Sequence, residues 1–483
     1  MKLDEVEEMD EIEYLYQERL KRYLTAMRNE KPDCVPIRPF VAEFTAKYAG
    51  LTCQEVTHDY RRAFEAVLKC AKDFDWDAIV PNMVYVWTGL TQALGLKYYA
   101  IPGIDISPDT PFQYLEPPEE KAFMKPDEYN LLIDDPTSFL YNIWLPRVSS
   151  EMEAEESASY RSKLALVKSA MAMNDYFYAL GLQVERMRKE AGVVSAIAGI
   201  LKAPLDIIAD KLRGYIGLIR DLHKQPEKVL EACEALAPHL TKVALMTADP
   251  EKRMPIAFWM HRSCVPFISM NHFNNIHWLT LRPIIEDLWS HGHQVLFYAE
   301  GDWTLHLDRF AELPEKSIIF HIDKTDISEA YRKLKDKFCL SGGIPNWLLS
   351  AGTPEEVHRY CQKVIDRLAL EGGYIIDASA IIQNDAKVEN IKAMTEFTRK
   401  YGKYSLDRIR DLEPQSHYNR NGKEYSGSLH FSKSRVKPGV CIPWEEKRKE
   451  LQRISGDENL IKKIWEEIES FGYLFIWQIL LSF

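Results

Sequence analysis

The chain has 483 residues, 46% of them hydrophobic and 28% charged, which gives ample apolar material for one large barrel or for two to three smaller domains. Lys and Arg total 61 against 72 Asp and Glu, a net charge of −11 that excludes a protein built to grip a nucleic-acid backbone. The eight cysteines, at 34, 53, 70, 233, 264, 339, 361 and 441, are scattered and form no CxxC pair, as expected of a reduced, cytoplasmic chain. The acidic N-terminus MKLDEVEEMDEIEYLYQERL is not a signal peptide; residues 1–30 read as an amphipathic helix ending near Lys31-Pro32, because the residue before proline avoids the helical region. An apolar run at 36–45, a helical pattern over Tyr60–Phe74 and a second run at 77–83 then suggest β-α-β units.

Residues 101–160 are rich in Pro, Asp and Glu and read as an irregular surface excursion, and 160–245 as mostly helical. From 254 the pattern becomes regular. Apolar runs MPIAFWMH, HQVLFYAEGD, SIIFHIDKTD, KFCLSGGIP and GYIIDASAII are separated by helical stretches at Trp278–Trp289, Ser328–Leu334 and Pro354–Leu370. Continuous apolar strands alternating with helices mean a parallel sheet buried on both faces. The expected fold is α/β, a (β/α)8 barrel over 34–402. It carries an N-terminal helical segment (1–33), an insertion at about 101–200, and a C-terminal extension (403–483) that covers the barrel or makes a dimer contact. The apolar stretch Tyr473–Phe483 falls short of the ~20 residues a membrane span needs, so it is expected to dock on the body or on a second subunit, and no membrane association is expected.

Reactive groups of such barrels sit where the strands end at their C-terminal edge. That rule collects His261, Asn271, Tyr298, Glu300, His321, Asp323, Asp377 and Ser379 as candidates for metal binding or proton transfer. Asp302 and Asp326 each precede a helical stretch and read as caps. Gly342-Gly343 lacks the spacing of a dinucleotide or P-loop motif.

GGIPNWLLSAGTPEEV, EGGYIID, VENIKAM and the Tyr401-Gly402 pair resemble the second half of the uroporphyrinogen decarboxylase-like superfamily, and LDIIADKLRGYIGLIRDLHKQPEKVLEACEAL resembles its long, anaerobe-type members. The resemblance implies a (β/α)8 barrel, usually dimeric, and two candidate chemistries. True decarboxylases of this superfamily carry an Arg-Gln-Ala-Gly-Arg-Tyr segment after the first strand; here the place reads PIRPFVAEFTAKYAG, with Arg38 as its one arginine. A polycarboxylate substrate needs several cationic partners. The other branch, corrinoid-dependent methyltransferases, holds zinc through a His-x-Cys pair and a later Cys, positions that fall on Tyr298, Glu300 and Ser379. With no thiolate there, the resemblance leaves an oxygen/nitrogen zinc site made of Glu300, His261 and Asp377.

The resulting expectation is a methyltransferase moving a methyl group between a small O-methyl substrate, perhaps aromatic, and a corrinoid on a carrier protein. Glu300, His261 and Asp377 would be catalytic, and Asn271, His321, Asp323, Tyr298, Ser379 and Arg38 would bind substrate. A porphyrinogen or small-acid decarboxylase is the alternative, and a non-catalytic tetrapyrrole- or corrinoid-binding protein a second one.

Overall fold

The computed structural model describes residues 11–82, 88–154, 158–404 and 437–482. The expectations for residues 1–10 and for the turn-rich stretch 405–436 lie outside them.

Ten strands are described: β1 (Ala78–Ile79), β2 (Tyr99–Ala100), β3 (Gln113–Tyr114), β4 (Val194–Ser195), β5 (Ile200–Lys202), β6 (Ile256–Met260), β7 (Val295–Ala299), β8 (Ile318–Ile322), β9 (Cys339–Gly342) and β10 (Tyr374–Ile375). Strands β5 to β10 form one parallel sheet in sequential order, and β1 pairs in parallel with β4. The segment at 36–41 joins the two ends. Ile37 bridges Ile376 in parallel, and its carbonyl accepts the Asp77 amide at 2.9 Å. Because β4 and β5 are the start and finish of one extended stretch, the ladder closes into an eight-membered ring, the (β/α)8 barrel. The stretch at 194–202 is the third strand of that ring. Barrel structure therefore resumes inside the segment expected as an insertion up to about residue 200, and the mostly helical 160–245 region contains this strand. The β1–β4 and β5–β6 ladders are the reason.

Side chains alternate across each strand, and the burial follows that period. Ala257, Trp259, Leu296, Tyr298, Ile319, Cys339 and Ile375 pack in an inner cluster with Phe40, Ala78 and Val194. Their neighbours Ile256, Phe258, Val295, Phe297, Ile318, Phe320 and Leu340 face the surrounding helices. The helix Glu11–Met27 sends Leu20, Tyr23, Ala26 and Met27 into the inner cluster, and the Tyr23 hydroxyl donates to the Ala196 carbonyl at 2.9 Å. This helix therefore seals the barrel at the N-terminal ends of the strands.

Capping at two of the expected helices is explicit. Thr353 and Glu356 form a capping box with Pro354 at the first position, and Asp326 caps Ile327–Leu334 through the Glu329 amide. Asp302 instead turns back on Thr304, accepting its amide at 2.9 Å. The helix Glu458–Ser482 buries Tyr473, Phe475, Ile476, Trp477, Ile479 and Leu480, so the expected docking of the 473–483 stretch is onto the body of the same chain. Trp477 stacks on His239 with ring centres 5.1 Å apart, and the Tyr473 hydroxyl meets His239 Nδ1 at 3.0 Å. Among the described residues no helix is long and apolar enough to cross a membrane.

Candidate active site at the barrel mouth

The alternation that fills the barrel continues one step past each strand. Beyond inward-facing Trp259, Tyr298 and Ile319–His321 come His261, Glu300 and Asp323; Lys202 ends β5 on the same face. All four line a cavity of about 970 Å3 at the mouth, with Trp259 beside them. Aromatic walls come from Tyr99, Phe112 and Tyr114 of the β2–β3 hairpin region and from Tyr176 on the long helix Tyr160–Ala191. The cavity continues along the third strand past Val194 and Gly199, and Gln478 and Leu481 of the C-terminal helix close part of its wall.

After β5 the chain passes through a short helix, Pro204–Ile207, into a π-helical turn, Ile208–Arg213. Wide turns of this kind re-aim side chains and are frequent at functional sites. Here the turn delivers Asp210 and Lys211 to the cavity. Asp210 Oδ2 accepts from Lys202 Nζ at 2.7 Å and from His261 Nδ1 at 2.8 Å. Although burial opposes ionisation, Lys202 and His261 hold the Asp210 carboxyl far below its usual range. Burial and Lys202 press His261 downward, but Asp210 and Glu300 outweigh them and leave its pKa raised. Glu300 is raised by burial, against the pull of His261 and Lys202 and with the help of Asp323 and Asp210. Lys211 lies under Tyr98, 4.1 Å from its ring centre, and burial followed by Lys202 lowers it to about 7. The site therefore sets a carboxyl whose pKa burial raises beside Lys202 and His261, both anchored on one carboxylate.

A second polar group lies below the cavity, within the barrel. Arg38 Nη2 donates to Asp377 Oδ2 at 3.1 Å, and the Phe40 amide donates to Asp377 Oδ1 at 3.1 Å. Burial pushes Asp377 up to about 7 despite Arg38. His321 is kept neutral by burial and by Arg38; its Nε2–H donates to the Ser379 carbonyl and its Nδ1 takes the Ser341 hydroxyl, each at 3.1 Å. Tyr298 stacks on His321 at 4.1 Å. Arg38, Tyr298, His321 and Asp377 are thus a sealed layer beneath the floor, fully buried and absent from the cavity lining.

Of the expected site residues, the structure brings Glu300, His261 and Asp323 together and puts Asp377, His321, Tyr298 and Arg38 below them. Ser379 lines a neighbouring groove, and Asn271 is exposed on the turn Met270–His272, bonded to Asn275. Lys202, Asp210 and Lys211 are site residues that the sequence reading passed over. The implied zinc ligands Glu300, His261 and Asp377 are not assembled, and among the described residues no three His, Cys, Asp or Glu side chains form a metal-holding group. Lys202 Nζ stands 3.3 Å from His261 Nδ1, where a cation would meet a cation, and Asp377 is already committed to Arg38. These residues do not fit a zinc ion.

The sequence profile described as uroporphyrinogen decarboxylase (URO-D) matches residues 157–401, slightly more than half of the chain. The chain belongs to the uroporphyrinogen decarboxylase family. The matched span runs from the long helix through Tyr401, and so includes Lys202, Asp210, His261, Glu300 and Asp377. Among solved structures, a methyltransferase from Methanosarcina mazei superposes with a TM-score of 0.52 over 79% of this chain and 98% of the other, at 14% identity. At that identity the likeness is one of fold. No curated protein sequence matches this family member.

Proposed function

We propose that this member of the uroporphyrinogen decarboxylase family is a methyltransferase that takes the methyl group from a small O-methyl substrate, with a corrinoid on a partner protein as acceptor. The observation that carries the reading is the grouping of Glu300, His261, Lys202 and Asp210 at the strand ends inside an aromatic-walled cavity. Breaking a methyl–oxygen bond leaves charge on oxygen, which must be stabilised and then protonated. Glu300, its carboxyl raised by burial, supplies the proton and ends as carboxylate. His261 and Lys202, fixed by Asp210, supply positive potential beside it. Tyr99, Phe112, Tyr114 and Trp259 offer ring faces to an aromatic ether. A reduced corrinoid would supply the nucleophile that accepts the methyl group.

Decarboxylation of a tetra-acid is the less favoured reading. Arg38 is buried against Asp377, Lys202 is held by Asp210, and Arg262 is paired with Glu116 at 3.0 Å. The test is single-turnover methyl transfer from a panel of methoxylated aromatics to cob(I)alamin, with uroporphyrinogen as a parallel substrate. Methylation of the corrinoid that is abolished in Glu300→Gln supports the proposal. Turnover of uroporphyrinogen without methyl transfer overturns it, and binding of either class without turnover does so in favour of a carrier role.

A further inference from the structure

Beside the mouth runs a second concavity of about 1360 Å3, between the helices Ile327–Leu334 and Pro354–Leu368, over the loops that follow β8 and β9. It shares Asp323 and Lys324 with the main cavity, so the two are neighbours. Arg359, Lys363 and Arg367 recur at i, i+4 and i+8 on the helix Pro354–Leu368, placing three cations along about 12 Å of its groove-facing side. With Lys324 they make four cations on a chain whose net charge is −11. Among the described residues, none of the four has a carboxylate within 4.0 Å.

The acids lining the same groove are engaged in the fold. Asp326 caps the helix Ile327–Leu334, Asp323 accepts the Gly301 amide at 2.8 Å, and Asp366 accepts the Tyr401 hydroxyl at 2.8 Å. Trp347 lines the groove and is 65% exposed, which leaves its ring available for stacking. Its backbone follows Gly343, whose φ of +92° turns the chain sharply where β9 leaves the sheet. An exposed indole beside a row of cations that make no ion pair among the described residues, in a groove where four cations face the three acids Asp323, Asp326 and Asp366, matches a flat ring joined to several anionic oxygens.

We propose that this groove binds a phosphate-bearing aromatic ligand of the nucleotide type, with its phosphates against Arg359, Lys363 and Arg367 and its ring against Trp347. This goes beyond the methyl-transfer reading and does not depend on it, because binding is measured without turnover.

The test is calorimetric titration of the intact protein with ADP, inorganic pyrophosphate and adenosine. ADP is expected to bind best, pyrophosphate more weakly and in a salt-dependent way, and adenosine least. Arg359→Gln combined with Arg367→Gln should weaken ADP and pyrophosphate at least tenfold, whereas Trp347→Ala should weaken ADP and leave pyrophosphate unchanged. All three side chains are exposed, and unchanged melting temperatures would show that the variants fold. Absence of ADP binding at millimolar concentration, or ADP binding indifferent to the arginine double variant, overturns the proposal. So does binding of polyglutamate in place of ADP, which would make the groove a docking face for an acidic protein.

Discussion

Asp210 Oδ2 holds Lys202 Nζ at 2.7 Å and His261 Nδ1 at 2.8 Å, so one carboxylate oxygen anchors two basic groups that arrive from different strands. The side chains of Lys202 and Asp210 are only 9% and 10% exposed. Removing one partner of such a pair leaves an uncompensated buried charge, at a cost of about 3–5 kcal/mol. Asp210→Asn should therefore lower the melting temperature and, under the proposed mechanism, most of the activity. His261 adds a pH signature. Its folded pKa is raised, so its contribution to stability is present below its unfolded pKa and is lost as pH rises through the folded value. Without Asp210 that folded value falls, and the alkaline limb of the activity profile should move to lower pH. An unmoved limb would remove His261 from the mechanism.

Glu300→Gln preserves shape but cannot give up a proton. It should reduce methyl transfer by roughly 10²- to 10⁴-fold while substrate binding and melting temperature change little. Substrates with better leaving oxygens should be affected less, which separates a lost acid from a damaged fold.

Glu43 offers a test outside the site. It follows the first strand, is 1% exposed, and neither carboxylate oxygen has a hydrogen-bond partner among the described residues. Burial pushes its pKa to about 7. A raised folded pKa means stability that is full below the unfolded value, near 4.5, and is lost as pH rises to about 7, by about 3 kcal/mol. Urea denaturation at pH 5 and pH 8 should show this loss in the wild type and a smaller one in Glu43→Gln.

Trp477→Ala tests the docking of the C-terminal helix. Trp477 is fully buried, stacks on His239, and donates to Thr137 Oγ1 at 3.2 Å. Its truncation should cost about 3–5 kcal/mol and open the 458–482 helix to protease. Burial lowers His239 to about 4, so this contact contributes stability above the unfolded pKa near 6.5 and loses it as pH falls towards 4. Acid sensitivity of the same helix, followed by limited proteolysis between pH 7 and 4, should match.

How much of this was legible in the residues depended on strand composition. From 254 onward the strands are unbroken apolar runs rich in aromatic and branched residues, and their period gave the barrel and the positions of His261, Glu300 and Asp323. The third strand, VVSAIAGILK, follows a 32-residue helix, is broken by Gly199, and is short of aromatic residues, so its pattern does not stand out from the helical text around it. Missing that strand also meant missing Lys202 at its end. Asp210 and Lys211 sit in LDIIADKLRG, where charges are flanked by apolar residues on every helical face; that pattern was the available signal of buried charge. Arg38, His321 and Asp377 were expected at the mouth but lie inside the barrel, with Phe40 packed against Arg38 and His321 and Tyr298 stacked on His321. Depth along a strand is set by packing from other elements, which spacing in one strand does not encode.

Gln478 and Leu481 stand in the cavity wall about 280 residues after Lys202. At the ribosome's pace of about 5–20 residues per second, Lys202 emerges roughly 15–55 seconds, and Glu300 roughly 10–35 seconds, before the segment that completes the enclosure. During that interval the mouth lacks the part of its wall that Gln478 and Leu481 supply, and full enclosure of the cavity waits for the docking of the final helix.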